Sequence, residues 1–138
     1  MTARESNRRR LVSTASPYER RFGYSRAVAI GDSCWVAGTT DAGPDGRSAH
    51  PDDPAAQARA AFGIGIAALG EAGFAASDVV RTRMYVVDAA DIPAVTAVHG
   101  DLFGLVRPAA TLVVVARLMV PSLLVEVEAD AVRRSSRS

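Results

Sequence analysis

The pattern of apolar and polar positions along the chain predicts six strands and two helices. The expected strands span residues 9–14, 25–30, 34–39, 79–87, 111–118 and 123–132. The turn Gly31-Asp32-Ser33 should pair the second and third of these as an antiparallel hairpin. An irregular segment is expected at Ser16-Pro17-Tyr18, and a loop over residues 41–52.

The two expected helices have different signals. Asp53 and Pro54 offer the first helix an N-cap and a preorganised first turn, and Gly73 offers it a stop. Its apolar stripe should face a sheet, whereas Gln57 is expected to face water. The second helix, over about residues 91–103, carries apolar side chains along one side.

The resulting order, β-β-β-α-β-α-β-β, predicts an α+β fold with both helices on one face of a single sheet. The run from Leu112 to Val115 is apolar at successive positions, so this strand needs burial on both of its faces. Since the helices cover only one face, the other is expected to meet a second subunit. The alternative is an exposed apolar patch, unusually large for a soluble monomer.

Composition indicates a single globular domain over residues 1–138, in which residues 1–8 and 133–138 are expected to be flexible tails. Apolar residues make up 49% and charged residues 22% of the chain. Every one of its 16 basic residues is arginine, a bias that a GC-rich bacterial genome produces. No aromatic-rich strand or recognition helix accompanies these charges, so no nucleic-acid partner is expected.

Cysteine and histidine are too few for a structural metal site or an internal disulfide. Cys34 is the only cysteine, and the two histidines have no metal-ligand spacing relative to it. No apolar run resembles a signal peptide or approaches the roughly eighteen residues that cross a bilayer. The expectation is a cytoplasmic protein without a metal or a membrane contact.

Several short stretches between Tyr24 and Val132 resemble the Rid (reactive intermediate deaminase, or YjgF) family in their order and spacing. They include Gly23-Tyr24-Ser25, Val36-Ala37-Gly38, Ala72-Gly73, Tyr85-Val86-Val87-Asp88, Arg107-Pro108-Ala109 and Val125-Glu126-Val127-Glu128-Ala129. The resemblance implies a chorismate-mutase-like (YjgF-type) fold. It also implies a homotrimer whose sheets form a central barrel, with small-molecule pockets between neighbouring subunits.

The resemblance further implies cofactor-independent hydrolysis of reactive imines or enamines to carbonyl compounds and ammonia. Glu126 matches the glutamate that positions the attacking water, which makes it the catalytic candidate. Tyr24 matches a tyrosine that lines the pocket, and Gly38 and Tyr85 belong to the same substrate-binding set. Ala37 replaces a serine of the family, so the pocket loses a hydroxyl.

One departure from the family affects substrate binding directly. In the deaminases an arginine follows the Pro-Ala pair and binds the substrate carboxylate. Here Pro108-Ala109 is followed by Ala110, and losing such a contact costs about 1.5 to 3 kcal/mol. Arg107 and Arg26 are the candidates to replace it, unless both are solvated or pair with surface carboxylates.

The residues also allow plainer interpretations. Alternation with apolar residues means that Glu126, Glu128 and Asp130 could equally form a polar strand face paired with Arg81, Arg83 or Arg117. His99 is expected to be structural, with ligand contact as the alternative, and Cys34 a buried small hydrophobe.

Three functions stay open at this point. The first is an imine hydrolase with a changed substrate, which Glu126 and Tyr24 favour. The second is a non-catalytic trimer that binds a small metabolite or a partner protein, which Ala110 and Ala37 favour. The third is an endoribonuclease, the family's older label, for which the sequence offers neither evident catalytic groups nor a phosphate-binding surface.

Overall fold

The computed structural model describes residues 7–14 and 16–134, which form one six-stranded sheet with two long helices. The strands are β1 (Arg10–Val12), β2 (Ala27–Ile30), β3 (Ser33–Thr39), β4 (Val79–Val86), β5 (Ala109–Val114) and β6 (Val125–Val132). The helices are α1 (Pro17–Phe22), α2 (Pro54–Glu71) and α3 (Ile92–Phe103). The predicted order of strands and long helices is confirmed, and α1 is an addition to it.

The strands lie in the order β1-β2-β3-β6-β4-β5. All neighbouring pairs are antiparallel except β4 and β5, which are parallel because the chain crosses over through α3 between them. The hairpin of β2 and β3 is confirmed, and Gly31 at its turn has a φ of 58°, a conformation that glycine adopts without strain. The strand β6 therefore occupies the middle of the sheet.

Both long helices pack on the same face of the sheet, as predicted. The rings of Phe62 in α2 and Phe103 in α3 meet edge to face with their centroids 5.3 Å apart, above the buried valines of the sheet. The opposite face, called the open face below, carries the alternating side chains. These are Val28, Trp35, Ala37, Arg81, Arg83, Tyr85, Thr111, Val113, Glu126, Glu128 and Asp130.

The start of α2 follows the capping signals in the sequence. The Asp53 carboxylate accepts a hydrogen bond from the backbone N–H of Ala56 at 3.0 Å, and Pro54 occupies the first turn. The helix ends at Glu71, and Gly73 beyond it has a φ of 88°. The predicted helix is confirmed to within two residues at its end.

The expectation that Gln57 faces water was wrong. Its side chain is fully buried, with Nε2 donating to the carbonyls of His50 (3.1 Å) and Ser122 (2.9 Å). Its Oε1 accepts from the backbone N–H of Leu124 at 2.8 Å. One amide thus ties α2 to two loops at the same end of the sheet, because buried backbone groups there need partners.

The segment at residues 16–22, expected to be irregular, contains the helix α1. The Ser16 hydroxyl accepts from the N–H of Tyr18 at 3.3 Å, and Gly23 ends the helix with a φ of 78°. The helix turns Glu19 inward, where the side chain is buried. α1 therefore covers one end of β2 rather than extending the core.

The strand β5 is shorter than predicted and lies at the edge of the sheet. It spans Ala109–Val114, and residues 115–124 are irregular. Val113 and Val114 point to opposite faces, yet they are 40% and 50% exposed. One subunit therefore leaves both faces of this apolar strand partly uncovered.

Two further observations concern the ends of the chain and the helices. Residues 1–6 and 135–138, which belong to the expected tails, lie outside the described residues. Arg133 at the border of the second tail donates to the Gly73 carbonyl at 2.9 Å and pairs with Asp32 at 3.1 Å. Among the helices that the structure describes, none has both the length and the apolar character needed to cross a membrane.

Candidate functional site

The open face carries the Glu126 carboxylate where the end of β3 meets the start of β6. The register of β3 against β6 shifts between Val36 and Thr39, which marks a β-bulge. The bulge brings Gly38 against Glu126 so closely that a Cβ on Gly38 would lie 2.2 Å from Oε2 of the glutamate. Glycine leaves room for the carboxylate in this orientation, and a larger residue at position 38 would make the Glu126 side chain turn aside.

The surroundings of Glu126 favour its protonated form. Burial raises the pKa of its carboxyl above the ordinary value, the negative charge of Glu128 raises it further, and Arg26 partly opposes both. A carboxyl with a raised pKa can accept and return a proton nearer to neutral pH than an ordinary glutamate. The predicted catalytic residue therefore has the electrostatic setting of a general acid or base.

Tyr85 lies beside Glu126 on the neighbouring strand, β4. It is the register partner of Glu126, and its hydroxyl donates to Oε1 of Glu128 at 2.7 Å. This hydrogen bond and burial raise the pKa of Tyr85, so the phenol stays neutral and keeps its donor on Glu128. This bond holds Glu128 in place, whereas none of the described residues donates a hydrogen bond to the Glu126 carboxylate.

The rest of the acidic row on β6 is engaged in structure. Asp130 pairs with Arg83 of β4 at 3.3 Å, which confirms the predicted polar strand face at this position. Arg81 donates instead to the Thr111 hydroxyl on β5 at 2.7 Å. These contacts stabilise the open face and leave Glu126 as the carboxylate available for chemistry.

Arg26 and Tyr24 lie beside the bulge. Nη1 of Arg26 donates to the Gly38 carbonyl at 2.7 Å and to the Thr39 hydroxyl at 2.9 Å. The guanidinium carbon lies 5.6 Å from the centroid of the Tyr24 ring, which is itself 39% exposed. Arg26 is buried rather than solvated. Its carboxylate neighbour, at 4.0 Å, is the buried Glu19.

Arg107 and Ala110 do not lie beside Glu126 in the single chain. β4 separates their strand from β6, and Ala110 is the register partner of Thr82 on the helix-covered face. Arg107 is exposed, has a φ of 56°, and donates its backbone N–H to the Phe103 carbonyl at 2.8 Å. The two positions expected to bind substrate are thus remote from Glu126 in the single chain.

His99 and Cys34 occupy structural positions. Nε2 of His99 lies 2.8 Å from the Thr82 hydroxyl, and its ring packs against Phe62 and Phe103. Burial lowers the pKa of His99, so the imidazole is neutral at neutral pH. Burial raises the pKa of the Cys34 thiol, which keeps it protonated despite the charge of Arg10.

The sequence did not indicate a second polar cluster in the loop after β3. The buried Asp41 accepts from the Ser48 hydroxyl at 2.8 Å and from the N–H of His50 at 3.0 Å, and its Oδ2 lies 3.1 Å from His50 Nδ1. These bonds fix the loop. Within the described part of the chain, no three His, Cys, Asp or Glu side chains are placed to hold a metal ion.

Comparison with known proteins relates this arrangement to one family. The family model described as endoribonuclease L-PSP matches residues 15–133. The solved structure of Rv2704 from Mycobacterium tuberculosis, a member of the YjgF/YER057c/UK114 family, is 47% identical and covers 91% of this chain and 99% of its own, with a TM-score of 0.82. The Escherichia coli YjgF structure is 32% identical over the same shares, with a TM-score of 0.76. An uncharacterised protein of Streptomyces coelicolor is 41% identical over 90% of this chain and 92% of its own.

Proposed function

Since this chain belongs to the YjgF (Rid) family and has the family's fold, we propose that it hydrolyses a reactive imine or enamine to a carbonyl compound and ammonia. The single observation that carries the proposal is the Glu126 carboxyl, which packs on Gly38 and has a raised pKa. It is the group on the open face with the freedom and the proton affinity to activate water.

The chemistry needs one base and no cofactor. Glu126 accepts a proton from a water molecule while the water oxygen forms a bond to the imine carbon, and the electron pair of the C=N bond moves to nitrogen. Nitrogen takes up a proton from solvent, which gives a tetrahedral carbinolamine. The proton held by Glu126 then passes to nitrogen, and the C–N bond breaks as an electron pair of the oxygen forms the carbonyl. Ammonia leaves, and the hydroxyl proton of the carbinolamine passes to Glu126 and from there to solvent.

The residues around Glu126 favour an imine without a free carboxylate. Arg26 is already bonded to Gly38 and Thr39 and lies beside Glu19, and Ala110 offers no charge. Glu126 and Glu128 lie on the same face, so they would repel a carboxylate on the substrate. Neutral or cationic imines are the expected substrates.

A first test compares ammonia release from imines that an amino-acid oxidase generates from acidic, neutral and apolar amino acids. The native protein should act poorly on these carboxylate-bearing imines, and Ala110→Arg should raise kcat/KM by about tenfold or more by restoring a charge-assisted contact. Arg59→Ala on the outside of α2 is the matched control. Rapid native activity that Ala110→Arg leaves unchanged would contradict the proposed selectivity.

A non-catalytic binding protein is the second candidate, because Ala110 and Ala37 both remove polar groups from the expected pocket. It predicts no ammonia release from any imine by the native chain, including imines of simple amines. A gain of activity in Ala110→Arg alone would then show a scaffold whose role has moved to binding.

We further propose that the protein is a homotrimer with its pockets between subunits. The support is the exposed apolar surface of the open face, where Trp35 is 47% and Val113 40% exposed, together with the edge strand β5. We expect the neighbouring subunit to bring its own Ala110 to Glu126, because the single chain keeps these two positions apart.

Light scattering on a sizing column should give three times the 14.5 kDa mass of one chain at micromolar concentration. Trp35→Asp should shift the mass to that of the monomer, because a buried unpaired charge in an interface costs several kcal/mol. Ala97→Asp on the exposed side of α3 should leave the mass unchanged. A single-chain mass for the native protein would refute the trimer.

A further inference from the structure

A buried arginine is bonded to the glycine on which the Glu126 carboxylate rests. Arg26 is 7% exposed, and Nη1 donates to the Gly38 carbonyl and to the Thr39 hydroxyl. The Thr39 hydroxyl donates onward to the Ala37 carbonyl at 2.7 Å. We propose that Arg26 is a positioning residue for Glu126. Arg26 holds the β3 bulge in shape and supplies positive charge near the Glu126 carboxylate.

The bulge explains why a guanidinium is needed here. An extra residue in one strand leaves backbone groups without a partner in the ladder. The carbonyl of Gly38 lies within the shifted register, and Arg26 donates a hydrogen bond to it. Without this bond the Gly38 backbone is free to move, and the Glu126 side chain that packs against it moves as well. A displacement of about 1 Å at a reacting group can lower the rate about a hundredfold.

The charges around Glu126 indicate the second part of the role. Glu128 on the same strand favours protonation of Glu126, and Arg26 is the cation that opposes it. Tyr85 across the register is neutral and donates to Glu128, while Arg83 is paired with Asp130. Removing Arg26 would leave two carboxylates on this face with a weaker counter-charge.

Glu19 of α1 completes the arrangement by holding the other side of the guanidinium. Its carboxylate accepts hydrogen bonds from the backbone and hydroxyl of Thr14 and from the Ser13 hydroxyl. Burial alone would raise the pKa of Glu19, but these bonds and Arg26 lower it on balance. Glu19 is therefore ionised at neutral pH and keeps Arg26 in place.

The inference rests on the proposed function for its kinetic consequence, so the deciding measurement does not require activity. Carboxyl ¹³C resonances are titrated in the native protein, in Arg26→Gln and in Arg83→Gln, with Glu126 assigned by the loss of its signal in Glu126→Gln. The midpoint of Glu126 should move to higher pH in Arg26→Gln. It should stay unchanged in Arg83→Gln, which removes an open-face cation bonded elsewhere.

The pH dependence of the rate should shift in the same direction as the Glu126 midpoint. If ionised Glu126 is the base, the acidic limb of the rate profile moves to higher pH in Arg26→Gln. The maximal kcat falls about tenfold because the bulge is no longer held. If the native protein releases no ammonia, the proposed function fails, yet the titration still decides the role of Arg26.

Two outcomes would overturn the inference. One is an unchanged Glu126 midpoint in a folded Arg26→Gln protein. If that variant does not fold, Arg26→Lys replaces it. Lysine keeps the charge but has one nitrogen, so it cannot face Gly38 and Glu19 together as Nη1 and Nη2 of the arginine do. The lysine variant should keep the midpoint and shift the backbone amide resonances of Gly38 and Thr39. Unshifted amides there would overturn the positioning role.

Discussion

Replacing Glu126 by glutamine should lower kcat for imine hydrolysis by about 10²–10⁴-fold, the usual contribution of a general base. Glutamine keeps the volume that packs against Gly38 but cannot accept a proton from water. Ammonia release at saturating concentrations of a simple amine-derived imine measures the effect. The loss should fall on kcat rather than KM, because proton transfer occurs only in the transition state.

Glu128→Gln is the matched control for this result. Glu128 lies on the same face, but its carboxylate is held by the Tyr85 hydroxyl at 2.7 Å. Its replacement should lower kcat less than about tenfold, through the charge that it exerts on Glu126. An equal loss in the two variants would assign the base role to the pair instead of Glu126.

The pH dependence of both activity and stability follows from the raised pKa of Glu126. Activity should rise with pH through this pKa, above the range of an ordinary carboxyl, and the limb should vanish in Glu126→Gln. For stability, a raised folded-state pKa means a contribution that is full below the unfolded value and lost as pH rises through the folded one. Glu126→Gln should therefore unfold at a temperature equal to or above the native one at neutral pH.

Replacing Gln57 by alanine should lower the free energy of unfolding by about 2 kcal/mol or more. The change removes the Gln57 partner of two partly buried backbone groups, the Ser122 carbonyl and the Leu124 N–H, and each unpaired group costs about 1–3 kcal/mol. The His50 carbonyl also loses Gln57 but still accepts a hydrogen bond from the N–H of Asp53. Solvent entering the cavity can satisfy part of this, which sets the lower end of the estimate. Chemical denaturation with the slope held fixed measures the change.

Arg59→Ala, two residues further along α2, is the control for Gln57→Ala. Its ion pair with Asp101 lies at the surface, where such pairs contribute at most about 1 kcal/mol. Similar losses in the two variants would mean that α2, rather than the buried amide, accounts for the effect.

Where the sequence signals are local, the structure agrees with them. The β2–β3 hairpin follows from a three-residue turn with glycine, and the bounds of α2 follow from Asp53 and Gly73. The order of strands along the chain could also be predicted, because the alternation of apolar and polar residues in β4 and β6 depends only on neighbouring residues. These local patterns are enough to predict the fold class.

Where burial depends on distant backbone, the sequence was a poor guide. Gln57 is polar, so the sequence predicts that it faces water, although two backbone groups far along the chain, at Ser122 and Leu124, bond to it inside the protein. Helix α1 was missed because six residues give no apolar stripe, even though Ser16, Pro17 and Gly23 are capping signals. Tertiary contacts decide both cases.

The candidate site was partly predictable. Glu126, Tyr24 and Gly38 could be named from their resemblance to a family pattern, and the structure places them around one bulge. The bonds that Arg26 makes could not be foreseen, since its acceptors are the carbonyl of one residue and the hydroxyl of the next on a different strand. No rule of sequence spacing predicts that a side chain will donate to a backbone carbonyl within a β-bulge.

The sheet order also constrains how the chain reaches its native state. β6 joins the β1-β2-β3 half to the β4-β5 half, and it pairs Val132 with Ser33, residues far apart in sequence. Such distant pairings slow folding, because the loop entropy is lost before the contact forms. Until β6 inserts, both halves present unpaired strand edges that can recruit other chains. Refolding, which is favoured at low protein concentration, and aggregation, which is favoured at high concentration, should therefore compete at this one step.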